Sequence, residues 1–200
     1  MKILVFDTET TGIPSSKFSL ARQPHIIQFA AILYELNASL EMIKLQEINE
    51  LIDPGVEVPL ESTLIHKISN EMLVGKPRFA DLAVRIKDVF LASDMAVAHN
   101  IAFDKKLLEI EFERLDQSVG FWPKQIYDTM LESVNLCRLP SRNRGFKSPR
   151  LSELHSFLFG SEFANAHNAL DDVLATGRCL QELIKRGHAN LRPSVQGSLF

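Results

Sequence analysis

Residues 3–12 read Ile-Leu-Val-Phe-Asp-Thr-Glu-Thr-Thr-Gly, an apolar run that passes directly into two carboxylates and a glycine. The apolar residues 3–6 predict a buried strand that ends at Asp7. Side chains two positions apart on a strand share a face, so Asp7 and Glu9 are predicted to project side by side from the sheet. This pair indicates a cation site, and the alternative is a solvated strand end that holds no ligand.

The rest of the chain contains three further candidate strands and five candidate helices. The strands are predicted at residues 25–34, 42–52 and 95–98, and the second of them also tolerates a helix. The helices are predicted at residues 79–91, 101–117, 128–137, 151–159 and 169–186. Asn100 is the predicted N-cap of the second of these helices. Strands followed by helices that alternate with one short strand indicate a mixed sheet flanked by helices, in the α/β or α+β class.

Composition limits the class of protein. The 200 residues are 46% hydrophobic and 24% charged, which is typical of a folded chain, and the net charge of −3 gives no basic excess to predict nucleic-acid binding. Two cysteines exclude a disulfide framework. With no apolar stretch long enough for a membrane span or a signal peptide, we expect a cytoplasmic protein without a membrane part. We expect one domain over 1–187 and a tail over 188–200.

Two further carboxylates and a histidine extend the acidic pair. Asp104 lies one turn from both Ile101 and Leu108 on the inward face of its helix, so it needs a Lys, an Arg or a metal as partner. His167 and Asp172 are five residues apart and cannot share a helix face, which places His167 before the helix that Asn168 caps. Each feature also has a structural explanation, since helix dipoles favour acids in a first turn.

The chemistry of the acidic residues indicates a hard divalent cation. Carboxylates without a Cys or His cluster suit Mg²⁺ or Mn²⁺ and not zinc. The chain has no GxxxxGK[ST] phosphate loop and no GxSxG nucleophile elbow, which excludes those nucleotidase and hydrolase classes.

Three segments resemble the motifs of a known family. Residues 6–12 (Phe-Asp-Thr-Glu-Thr-Thr-Gly), 99–104 (His-Asn-Ile-Ala-Phe-Asp) and 167–172 (His-Asn-Ala-Leu-Asp-Asp) are similar, in the same order, to those of the DnaQ-like DEDDh 3′–5′ exonucleases. The resemblance spans about residues 2–185. It implies an α/β, ribonuclease-H-like fold with a mixed five-stranded sheet flanked by helices.

The resemblance also implies a role for each candidate site residue. The five implied catalytic residues are Asp7, Glu9, Asp104, His167 and Asp172. The four carboxylates among them would hold two divalent metal ions, Mg²⁺ or Mn²⁺, with His167 as the general base. Thr10, His66 and Phe103 would line the terminal nucleotide, and Phe103 is equally explained as a core residue.

The implied activity is a two-metal-dependent 3′–5′ exonuclease that releases 5′-mononucleotides from a single-stranded 3′ end, in DNA proofreading or repair. The alternatives are a catalytically idle nucleic-acid-binding subunit and a phosphodiesterase acting on short oligonucleotides or RNA. Two departures from the family pattern are Lys67, where a Gly is usual, and the longer segment 138–150. That segment carries five basic and no acidic residues, which suits a phosphate backbone or a solvated loop.

The last five residues, Gln-Gly-Ser-Leu-Phe, resemble the pentapeptide by which bacterial polymerases and repair proteins bind a sliding clamp. Gln196, Ser198, Leu199 and Phe200 match that pattern, and Gly197 replaces the usual Leu. The possible partners are therefore a DNA polymerase subunit or a sliding clamp. The alternative is that the apolar terminus folds back on the domain.

Overall fold

The sheet is built around the strand that the first apolar run predicts. The computed structural model describes residues 1–142, 144–161, 163, 168–189 and 191. Strand β1 (Lys2–Thr10) is longer than predicted, so Asp7 and Glu9 lie within it and not beyond its end. The other strands are β2 (Ile26–Leu36), β3 (Met42–Leu51), β4 (Met95–Ala98) and β5 (Gln125–Asp128).

The strand order is β3-β2-β1-β4-β5, which puts β1 in the centre. β1 pairs antiparallel with β2 and parallel with β4. β2 pairs antiparallel with β3, and β4 pairs parallel with β5. The predicted mixed five-stranded sheet is confirmed, and the segment that also tolerated a helix is the edge strand β3.

The described residues contain eight α-helices and one short 3-10 helix (Leu20–Arg22). Four of them are α1 (Leu60–His66), α2 (Asn70–Leu73), α3 (Phe79–Leu91) and α4 (Ile101–Arg114). The others are α5 (Thr129–Glu132), α6 (Val134–Cys137), α7 (Leu151–Phe159) and α8 (Ala169–Lys185). The predictions for α3, α4, α7 and α8 are confirmed within a few residues, and α1 and α2 were not predicted.

The prediction of one helix over 128–137 is wrong. Asp128 is the last residue of β5, and two single-turn helices follow it. The Ser133 hydroxyl donates to the carbonyl oxygens of Thr129 and Met130, which satisfies these groups where the helix is interrupted. The four-residue edge strand β5 escaped the periodicity analysis because its first two residues are exposed, so it shows no apolar run.

Alternation along β1 divides the core into two layers. Leu4 and Phe6 pack with α3 and α4 on one face of the sheet. Ile3 and Val5 pack with α7 and α8 on the other face. Because successive side chains of a strand point to opposite faces, the residues that follow on β1 are also divided between the two helical layers.

In the described part of the chain, no helix is long and apolar enough to cross a membrane. Cys137 and Cys179 are both buried free thiols.

Helix α8 approaches strand β2 closely at Gly177. A β-carbon at this position would lie 3.0 Å from the hydroxyl oxygen of Tyr34 and 3.4 Å from two atoms of its ring. Glycine within a helix costs stability relative to alanine, so its presence here is explained by the close contact and not by helix propensity.

We predict that Gly177→Ala destabilises the fold by roughly 1 kcal/mol. Overpacking against Tyr34 costs roughly 1–3 kcal/mol, and the higher helix propensity of Ala offsets about 1 kcal/mol of this cost. In a Tyr34→Phe background the hydroxyl is gone, and the same substitution is expected to be neutral or stabilising. Urea unfolding of the four proteins as a double-mutant cycle measures the coupling. Equal effects in both backgrounds would show that the hydroxyl is not the obstacle.

Candidate active site

Two of the acidic residues face the α8 side of the sheet. Asp7 and Glu9 continue the series of Ile3 and Val5 on β1, and Asp172 lies in the first turns of α8. Carboxylate oxygens of Asp7, Glu9 and Asp172 all lie within 4.8 Å of one another. Three oxygen donors at this spacing fit a hard divalent cation.

The start of α8 sets the place of Asp172. Asn168 caps the helix as predicted, because its side-chain oxygen accepts hydrogen bonds from the Leu170 and Asp171 N–H groups. The Asp172 N–H donates to the Asn168 carbonyl oxygen at 2.9 Å. His167, the predicted general base, precedes this cap and lies outside the described residues.

Asp104 reaches the same region from the other face of the sheet. It is buried, with 3% of its surface exposed, and its Oδ1 accepts from the Thr8 N–H at 3.0 Å and the Thr8 hydroxyl at 2.7 Å. Thr8 lies between Asp7 and Glu9 on β1 and points toward α4, as strand alternation requires. Thr8 therefore provides polar contacts to this carboxylate, for which the sequence predicted a Lys, an Arg or a metal as partner.

A further carboxylate, Asp128 at the end of β5, was missed by the sequence analysis. Its Oδ1 accepts from the Asn100 N–H at 3.0 Å and its Oδ2 from the Ile101 N–H at 3.2 Å. Oδ1 also accepts from the N–H groups of Met130 and Leu131 in α5. The prediction that Asn100 caps α4 with its side chain is wrong: Asn100 adopts a left-handed conformation (φ 73°), and Asp128 caps the helix in its place.

The electrostatics of the four predicted metal ligands follow from burial and like charge. Burial and then the charges of the other three carboxylates raise the pKa of Asp7 well above its ordinary value. The pKa of Glu9 is raised to about 8, again by burial first and then by Asp172 and Asp104. Burial raises the pKa of Asp104 to about 7, although the hydrogen bonds from Thr8 act in the opposite direction. A bound cation would relieve this repulsion, so the donor set fits a divalent metal.

The predicted nucleotide-binding residues lie at the end of β1 and close to it in space. The Thr10 hydroxyl donates to the Gly12 carbonyl oxygen at 2.7 Å and closes the turn after the strand. His66 is 4% exposed, and its Nδ1 accepts from the Ile68 N–H at 3.0 Å. Burial lowers the pKa of His66, while the nearby Thr10 carbonyl raises it to a smaller extent. The neutral ring therefore carries its proton on Nε2.

The sequence leaves the roles of Phe103 and Lys67 undecided, and the structure shows what each side chain contacts. Phe103 is partly buried and packs against the core on the α3–α4 side, so it contributes to the core. Lys67 ends α1 in a left-handed conformation (φ 64°), and its amine donates to the Leu64 carbonyl oxygen. This contact places the Lys67 amine at the C-terminus of a helix, where the helix dipole favours a cation.

The basic segment 138–150 is fixed at its end and exposed in its middle. His99 Nε2 contacts the Pro149 carbonyl oxygen at 3.0 Å, which ties the segment to the end of β4. Lys147 forms an ion pair with Glu153 of α7. Arg142 and Arg144 are exposed, so their guanidinium groups are accessible from solvent.

The arrangement of the three motifs matches a known family of nucleases. A family model described as exonuclease, RNase_T, matches residues 4–180. The chain belongs to this exonuclease family. The match covers all three motifs, and it confirms the DnaQ-like 3′–5′ exonuclease resemblance for the family as a whole.

The relatives of this exonuclease domain include polymerase subunits. The DNA polymerase III epsilon subunit of Treponema pallidum is 26% identical over 168 residues, which are 84% of this chain and 69% of the relative. The PolC-type DNA polymerase III of Clostridium perfringens is 26% identical over 190 residues, or 92% of this chain and 11% of the relative. The exonuclease domain thus spans about a tenth of that polymerase.

A solved structure shows the same fold. E. coli exonuclease I in complex with a dA16 oligonucleotide superimposes with a TM-score of 0.73 at 23% identity, covering 92% of this chain and 41% of that chain. The predicted ribonuclease-H-like α/β fold is therefore confirmed. The chain is a 3′–5′ exonuclease domain by family and fold.

The raised pKa values predict how stability depends on pH. The folded exonuclease domain keeps protons that the unfolded chain loses near pH 4, so its stability without metal is predicted to fall as the pH rises from about 4 to about 8. In EDTA at pH 8, Asp7→Asn is expected to stabilise the domain, and by less at pH 5, because it removes a charge that burial and three neighbouring carboxylates oppose.

Thermal unfolding at both pH values, with EDTA or Mg²⁺, measures this effect. Mg²⁺ is expected to stabilise the wild type more than Asp7→Asn, because it binds the folded site. Asp171→Asn is the matched control, since it removes a carboxylate of α8 outside the three-carboxylate group. An Asp7→Asn variant less stable than the wild type at pH 8 in EDTA would contradict the repulsion argument.

Proposed function

We propose that this exonuclease domain removes nucleotides from the 3′ end of single-stranded DNA and releases 5′-mononucleotides. The observation that carries the proposal is the group of Asp7, Glu9 and Asp172, whose oxygens lie within 4.8 Å of one another. Two relatives are DNA polymerase III proteins, and E. coli exonuclease I is described in complex with a DNA oligonucleotide. These likenesses favour DNA as substrate and a role in replication or repair.

Two divalent cations, Mg²⁺ or Mn²⁺, belong to the proposal. Asp7, Glu9 and Asp172 are the proposed ligands of one, and Asp7 and Asp104 are those of the other. When bound, such ions stabilise charge on the attacking and leaving oxygens of a phosphodiester.

The chain itself orients these ligands. Thr8 fixes the carboxylate of Asp104 with two hydrogen bonds, and Asp128 fixes the start of the helix that carries it. Asn168 fixes the first turn of α8 and hence the backbone of Asp172. Ligands held in this way lose little freedom when the site is used.

His167 is the proposed general base, because an imidazole titrates near neutral pH and stands one residue before the cap of α8. Thr10, His66 and Phe103 are proposed to line the terminal nucleotide. Since Nδ1 of His66 accepts from Ile68, the neutral ring carries its proton on Nε2, which is buried beside the Thr10 carbonyl.

The proposal extends to partners and location. A polymerase subunit or a sliding clamp is the proposed protein partner, the clamp through Gln196, Leu199 and Phe200, which lie outside the described residues. The division into a domain (1–187) and a tail (188–200) stays a prediction, and Ala189 at its start is buried against the domain. A cytoplasmic location fits the two free cysteines, since reducing compartments keep thiols unpaired.

The proposal predicts shortening of a 5′-labelled DNA strand from its 3′ end. Incubation of labelled single-stranded DNA, duplex DNA and RNA with Mg²⁺ measures this, and single-stranded DNA is expected to be degraded fastest. Asp7→Ala is expected to be inactive yet folded, and Asp171→Asn to remain active. His167→Ala is expected to lose roughly 10²–10⁴-fold in rate and to flatten the acidic limb of the pH profile.

The two alternatives give different results in the same assay. A wild type that binds the strand without shortening it would be an idle nucleic-acid-binding subunit. A wild type that cleaves dinucleotides and leaves long strands intact would be a phosphodiesterase of short oligonucleotides.

The exposed arginines of the basic segment are predicted to hold the strand. Neutralising Arg142 and Arg144 together is expected to weaken single-stranded DNA binding and to reduce the slope of log K against log salt by roughly 1, because fewer counterions are released. Lys147→Gln is the matched control, since Lys147 is already paired with Glu153. Dinucleotide turnover is expected to be unchanged, and an equal loss on both substrates would show that the segment shapes the site instead.

A further inference from the structure

Gln28 is a buried amide beside the candidate metal site. It lies on β2 directly opposite Glu9 in the antiparallel ladder, and 3% of its surface is exposed. A buried amide is stable when its donor and acceptor both have partners. Gln28 meets this condition: its Oε1 accepts from the Ala169 N–H at 3.2 Å, and its Nε2 donates to Asn49 Oδ1 at 2.9 Å.

The contact with Ala169 completes the cap of α8. The first N–H groups of a helix have no partner within the helix. The Asn168 side chain provides the acceptor for those of Leu170 and Asp171, and Gln28 provides the acceptor for that of Ala169. Gln28 is thus the part of the cap that belongs to the sheet and not to the helix.

This position links the two elements that make the three-carboxylate group. Glu9 is the ladder partner of Gln28, so their β-carbons are neighbours on one face of the sheet. Asp172 follows Ala169 by three residues, or about one helical turn. A hydrogen bond from Ala169 to Gln28 therefore fixes the turn that carries Asp172 against the strands that carry Glu9.

We propose that Gln28 is a positioning residue for the metal site, which holds the first turn of α8 on the sheet so that Asp172 meets Asp7 and Glu9. The inference rests on the metal site of the proposed function. Because the amide is neutral, it does this without adding a fifth negative charge beside four carboxylates that already repel one another. Partners of metal ligands commonly change metal affinity roughly 10–100-fold when they are removed.

The test is a titration of the full chain with Mn²⁺ alone. The electron paramagnetic resonance signal of the free ion measures how much Mn²⁺ remains unbound. Gln28→Met has a similar volume and no acceptor, and we expect it to bind Mn²⁺ roughly tenfold more weakly. Gln28→Glu keeps an acceptor for Ala169, and we expect it to bind at least as tightly as the wild type. Asn49→Asp adds a charge nearby without reaching Ala169 and controls for the charge of Gln28→Glu.

Hydrogen exchange of the Ala169 amide separates positioning from simple destabilisation. It is expected to be faster in Gln28→Met and protected in Gln28→Glu and Asn49→Asp. If Gln28→Met does not fold, Gln28→Thr replaces it, because a β-branched residue suits a strand and is too short to reach Ala169. A folded variant without the acceptor that binds Mn²⁺ like the wild type would overturn the role of Gln28. Failure of the wild type itself to bind Mn²⁺ would instead overturn the metal site.

Discussion

Like-charge repulsion at the end of β1 is the constraint on which the rest of the site depends. Asp7, Glu9 and Asp172 bring their oxygens within 4.8 Å, and Asp104 adds a fourth charge from the opposite face. Such a group opposes folding unless protons or cations share it. The fold withstands it because β1 is the central strand, paired on both edges and covered by helices on both faces.

The polar residues around the four carboxylates each hold a different part of the site in place. Thr8 holds the carboxylate of Asp104 from the strand itself, and Gln28 holds the start of α8 from the neighbouring strand. Asp128 does the same for α4, with one carboxylate that also begins α5. Asp104 is thus held directly at its carboxylate, whereas Asp172 is held through the helix that carries it.

The sequence was sufficient to predict a structural element where residues next to each other in the chain determine it. The apolar run before Asp7 predicted the central strand, and Asn168 predicted the start of α8. It was insufficient where the outcome depends on residues distant in the chain. The cap of α4 is supplied by Asp128 rather than by Asn100, and no local pattern records that contact. Strand β5 is short and half exposed, so it lacks the apolar run by which strands are recognised.

The order in which the proposed metal ligands occur along the chain has a consequence for biosynthesis. Asp7 and Glu9 belong to the first strand, whereas Asp172 belongs to the last described helix. At roughly 5–20 residues per second, the ribosome adds Asp172 on the order of ten seconds or more after Asp7. Until α8 docks, a nascent chain carries an incomplete set of ligands. The proposed metal site is therefore among the last parts of the domain to be completed, and a chain that ends before α8 lacks Asp172.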